Sequence, residues 1–228
     1  MCSVRDIFSP SGDDLFSHGT NDNIELLKAW AGTTLAYGVV QTGASNLVSL
    51  DFLRNLIISA VVCGLGFVLH ELAHRVVARG YGAEAHFIAN NQWLVLSVVL
   101  AFAGIFIAAP GAVWHRGRLT LRQGGLIALA GPVTNLALSL LFLFGLCAFA
   151  LLNLPLPTLV LVTLIIGFKF NAWLGLFNMI PAGPFDGAKV LAWSWQVFAV
   201  TVAVGIVLAF LLNEQMVILL IATLTRLW

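Results

Sequence analysis

NLIISAVVCGLGFVL, residues 55–69, runs without a charge directly into HELAH (70–74), then RVVAR (75–79), before Gly80. A membrane span needs about 20 predominantly apolar residues. The stretch therefore predicts one helix of about 25 residues, by the same span length, whose membrane part ends near the two histidines. Three ionisable side chains within five residues, at the end of an apolar helix, are costly in a bilayer and point to a function.

The rest of the chain agrees with a membrane setting. Of 228 residues, 60% are hydrophobic and 9% charged, with a mean hydropathy of +0.99. A water-soluble domain devotes about a quarter of its residues to Asp, Glu, Lys and Arg, so this chain lacks the charge to cover an aqueous surface. The net charge of +1 gives no reason to expect a nucleic-acid partner. Cys2, Cys63 and Cys147 are too few and scattered for a disulfide framework. Residues 1–23 are polar and acidic, without the basic start and apolar core of a cleavable signal.

Further spans are expected at 123–152 and 157–180, divided by Asn153-Leu-Pro155-Leu-Pro157, and at 190–213. A short helix over 215–224 and a weaker one over 25–42 bring the expected total to six. The expectation is an all-α polytopic membrane protein, multi-pass in the cell membrane. It has a polar tail over 1–24 and one membrane-embedded domain over 25–228. The long apolar stretch 93–113 is assigned as re-entrant or hairpin-like. A full crossing there would put HELAH and later carboxylates on opposite faces. The hairpin keeps Arg75, Arg79, Arg116, Arg118, Arg122 and Lys189 together on one face, cytoplasmic by the positive-inside tendency, with Arg54 opposite.

His70-Glu71-Leu72-Ala73-His74 matches H-E-x-x-H. Residues four apart lie about 40° apart around a helix and about 6 Å along it, so both imidazoles can reach one ion while Glu71 faces its water. A catalytic zinc takes three protein ligands and leaves a fourth position open. Candidate third ligands are Asp51, Glu84, Asp186 and Glu214, besides the acidic tail. Asp186 is favoured because Pro181 and Pro184 end the preceding helix and return a lone carboxylate at membrane depth, with Gly187 easing the turn. The competing role for Asp186 is an N-cap of the next helix.

HELAH followed by ARGYG, then Ala130-Gly131-Pro132-Val-Thr-Asn135, then FNMIPAGPFDG (177–187), resembles the site-2 protease family of intramembrane metalloproteases. The three motifs stand in that family's order and cover roughly residues 60–190, with a catalytic core of about 54–190. The resemblance implies one zinc per chain on His70, His74 and Asp186, Glu71 as general base, and Asn178 positioning substrate or stabilising the oxyanion. Ala182, Gly183 and Phe185 depart in type from the family pattern, while the spacing of Asn178, Pro181 and Asp186 holds. The implied activity is hydrolysis of peptide bonds within or next to transmembrane segments of membrane-protein substrates. A zinc-binding membrane protein without proteolysis, or a metallohydrolase of non-peptide substrates, are the alternatives. Gly131 and Pro132 are read chiefly as helix packing, Asn135 as a candidate polar contact near the site, and Lys169 as reaching a wet pocket. His18, His86 and His115 are read as ordinary polar residues of loops or tail. Oligomeric state is not legible.

Overall fold

Residues 21–107, 111–152, 154–212, 215–217, 219 and 223 are described by the structure, a computed structural model. Most of the expected polar tail and half of the expected final helix over 215–224 lie outside those residues.

Helix α1 spans Asp22–Thr42. Its N-cap Asn21 accepts from the Asn23 amide, and Asp22 and Glu25 place negative charge in the first turn, where the helix dipole favours it. Helix α2, Leu50–Gly80, carries HELAH. Ser49 caps its start by accepting from the Phe52 amide at 3.1 Å. One wide π turn, Ala60–Gly64, interrupts it.

Beyond Gly80 the chain departs from the all-α expectation. Strand β1, Glu84–Ala89, pairs antiparallel with β2, Gly111–Arg116, and helix α3, Asn91–Ala101, lies between them in sequence. Burial alternates along β1, with Ala85, Phe87 and Ala89 inward, which is the period of a strand. At only six residues long, each strand is hidden in sequence beside the more apolar α3. The pairing has a topological consequence: Glu84 sits opposite Arg116, so the chain leaves and returns at one level. The residues between the two strands thus form an excursion whose two ends lie side by side.

Helix α4 spans Leu121–Leu151, opened by a reciprocal capping box of Thr120 and Gln123. Helix α5 spans Thr158–Asn178. The two pack closely because glycines face bulky neighbours: a side chain at Gly167 would strike Phe142, and one at Gly175 would press on Leu136. Small residues let membrane helices approach in this way. The expected span 190–213 is instead broken. Helix α6, Asp186–Trp193, ends at Ser194, whose extended backbone turns the chain into α7, Trp195–Leu211. Lys169 of α5 donates to the carbonyls of Ala209 and Leu212 at the end of α7. It ties two helices.

Among the described residues, α2, α4 and α5 are long and apolar enough to cross a membrane, while α3 and α7 are apolar but shorter. Their outer faces expose large side chains such as Leu140, Leu141 and Phe144, a surface suited to lipid rather than water.

Candidate metal centre

The site forms where α2, α4 and the start of α6 meet. His70 Nε2 and His74 Nε2 are 3.0 Å apart, and Asp186 Oδ2 lies 3.3 and 3.2 Å from them. A tetrahedral zinc bound at about 2.0–2.1 Å separates its ligand atoms by about 3.3 Å. The triangle is therefore the right size for one ion. All three side chains are buried.

The opposite edge of each imidazole fixes its tautomer. His70 Nδ1 lies 2.6 Å from Asn135 Oδ1, and His74 Nδ1 lies 2.7 Å from the Ile127 carbonyl. Both partners are acceptors, so each Nδ1 carries the proton and each Nε2 turns a lone pair to the shared point, the arrangement that metal-bound histidines favour. Asn135 is itself held: its amide nitrogen donates to the Gly66 carbonyl and to Asn171 Oδ1, each at 3.0 Å. Asn171 in turn donates to the Gly167 carbonyl of its own helix. Sequence placed Asn135 near the site. Asn171 was passed over, since nothing local marks an asparagine that acts across two helices.

Glycine makes room for the ligands. A Cβ on Gly131 would lie 2.5 Å from His70 Nε2 and overlap His74 Nε2. The Gly131-Pro132 packing thus serves the imidazoles directly. Asp186 is the first residue of α6, whose N-cap is Phe185, so the carboxylate is not a cap and turns to the histidines instead. Gly183, at φ 60°, makes the turn. Gly187 has a different duty from the one expected: a side chain there would collide with the Met179 and Ile180 carbonyls, so its absence seats α6 against that turn. Asp186 thus completes the triangle as the carboxylate facing both Nε2 atoms.

Glu71 is buried beside His70, and the Val113 backbone on β2 hydrogen-bonds to it. Asn178, by contrast, donates to the Leu174 carbonyl one turn back in α5 at 2.9 Å and makes no hydrogen bond to the ligand triad. His86 is more than an ordinary polar residue. Asp22 accepts from His86 Nδ1 at 2.8 Å, Arg75 at 2.8 Å and Arg79 at 3.0 Å. This cluster joins the start of α1 to the end of α2 and to β1. His115 lies on β2 rather than in a loop.

Known proteins are similar to this chain in sequence. Over 148 residues, 63% of this chain, it is 45% identical to MJ0611 of Methanocaldococcus jannaschii, covering 74% of a protein provisionally named a zinc metalloprotease. It is 30% identical over 148 residues to the zinc metalloprotease MJ0392 of the same organism, covering 37% of it. It is also 34% identical over 148 residues to Rip3 of Mycobacterium tuberculosis, likewise provisionally named, covering 33% of that protein. No family model matches the chain and no solved structure resembles it. A buried His-His-Asp triad on an apolar helical scaffold, in a chain similar to these proteins, defines a zinc metalloprotease. The chain belongs to the site-2 protease family, and zinc is its metal.

Proposed function

We propose that the protein is an intramembrane endopeptidase, multi-pass in the cell membrane, that cuts membrane-protein substrates within or next to their transmembrane segments. The observation that supports this reading most strongly is the placement of Glu71. A purely structural metal site needs no carboxylate beside its first ligand, yet Glu71 is buried next to His70.

His70, His74 and Asp186 would hold the zinc. When bound, zinc supplies Lewis acidity, acidifying a water and polarising a carbonyl. Glu71 accepts the water's proton on its carboxylate and returns it to the leaving amine. The surrounding helices exclude bulk water, which strengthens each electrostatic contact. Asn178, at the end of α5, contacts the substrate once its amide releases the Leu174 carbonyl. A substrate helix hides its carbonyls in hydrogen bonds, so segments weakened by Gly or Pro are cut preferentially.

The test uses the purified full chain in lipid vesicles with a panel of transmembrane substrates, with and without a chelator. Cleavage should require metal and map to the membrane segment. Glu71→Gln should retain zinc and lose about 10²–10⁴-fold in rate. Cleavage at undiminished rate by Glu71→Gln would refute the mechanism. Stoichiometric zinc with no cleavage by the wild type would favour a non-proteolytic zinc protein, or a hydrolase of non-peptide substrates.

A further inference from the structure

Helix α2 keeps one face inward for longer than a regular helix can. Stepping by four, Ile58, Val62, Gly66, His70, His74 and Ala78 are all buried. The neighbouring series Leu53, Ile57, Val61, Leu65 and Leu69 is exposed throughout. In an α-helix each step of four advances about 40°, so the five steps from Ile58 to Ala78 would sweep about 200°. One residue accommodated in a wide turn takes back about 100°. What remains is about 100°, the width of a single buried stripe. The π turn at Ala60–Gly64 is where that correction occurs.

Two different partners depend on the correction. Below the turn α2 faces α1, with Asn55 Nδ2 donating to Thr42 Oγ1 at 2.9 Å. Above it the imidazoles must meet Asn135 and the Ile127 carbonyl. A continuous α-helix of this length would satisfy one contact set and rotate away from the other.

A side chain from α1 holds the turn open. Trp30 Nε1 donates to the Ala60 carbonyl at 3.1 Å. That carbonyl also accepts from the Leu65 amide, five residues on, instead of the amide four residues on that an α-helix would use. The indole ring lies where a side chain at Gly64 would be, with a built Cβ 2.5 Å from Nε1. Gly64 thus admits the ring, and the ring fills the space beside the widened turn.

We infer that Trp30 is a positioning residue for the metal ligands, acting through the π turn to set the angle at which His70 and His74 face Asp186. The inference rests on the metalloprotease reading and concerns a side chain outside the three recognised motifs. If the turn exists to absorb one residue, removing that residue should make Trp30 dispensable.

The experiment compares the full chain, Trp30→Phe, a deletion of Val61, and the two changes combined. Val61 is exposed on the turn, so its deletion converts the π turn to α without removing a core side chain. Two readouts are taken in detergent: zinc affinity by chelator competition, and the visible absorption of the cobalt-substituted site, which reports its tetrahedral geometry. Trp30→Phe should weaken zinc about 10-fold, the lower end for a supporting contact, and alter the cobalt bands. The Val61 deletion should bind zinc as the wild type does, and adding Trp30→Phe to it should change nothing.

Unchanged affinity and bands in Trp30→Phe, or equal losses in both backgrounds, would overturn the inference. If Trp30→Phe does not fold, recovery of folding and zinc in the double variant supports the inference, and failure of both overturns it. A wild-type chain that retains no zinc removes the metalloprotease reading itself, and this inference with it.

Discussion

Asn135 reaches His70 from another helix, its Oδ1 2.6 Å from His70 Nδ1, and so decides which ring nitrogen is left to bind metal. Asn135→Ala removes that acceptor and leaves the Gly66 carbonyl and Asn171 Oδ1 without their donor. Zinc affinity should fall about 10–100-fold, measured by competition with a chelator. Wild-type affinity in a folded Asn135→Ala chain would show that His70 is oriented by something else.

Gly131→Ala should abolish zinc retention, because the new methyl group would overlap the imidazoles. Gly124→Ala is the matched control, since a Cβ there meets nothing within 4 Å. Metal content of the two purified variants separates a local obstruction from a general intolerance of α4. Equal zinc in both would contradict the close approach.

Asp186→Ala should lose metal and activity together. As the first residue of α6 it contributes little capping, and a lost cap alone would cost about 1 kcal/mol with zinc intact. Zinc analysis and thermal unfolding on one preparation distinguish the two outcomes.

The hairpin predicts that Gly82 and Gly117, flanking its paired strands, lie on one face. Single cysteines there, in a chain otherwise free of cysteine, should react alike with a membrane-impermeant reagent in intact cells. Opposite accessibility would make 84–116 a crossing.

Asp22 supplies a pH test. Burial pushes its carboxyl up, but His86 and Arg75 outweigh it and hold the group below its ordinary value of 3.8. Because the folded value is depressed, its contribution to stability is complete above about pH 3.8 and is lost as the pH falls through the folded value. Wild type should therefore lose resistance to proteolysis around 20–30 more steeply than Asp22→Asn on acidification. Parallel profiles would count against the cluster.

The metal ligands were legible because their signals are local: two histidines one helical turn apart, and an aspartate after a proline break. The three long spans were legible for the same reason, as uncharged runs. What escaped depends on distant partners. Strand β1 exists because Glu84 to Ala89 finds Arg116 to Gly111, and six-residue segments announce nothing alone. His86 gains its meaning from Asp22, 64 residues earlier. Asn178 matches the family pattern by position, and its amide bonds its own helix. The break at Ser194 was hidden because apolar residues continue on both sides of it.

Because β1 and β2 run side by side, the stretch between Ala89 and Gly111 is a closed detour whose length is free to vary. Chain inserted near Gly104, an exposed glycine with φ 77°, would leave the sidedness of α4 and α5 unchanged. The catalytic scaffold could therefore acquire a domain there, by evolution or by engineering, without its downstream helices being rewired.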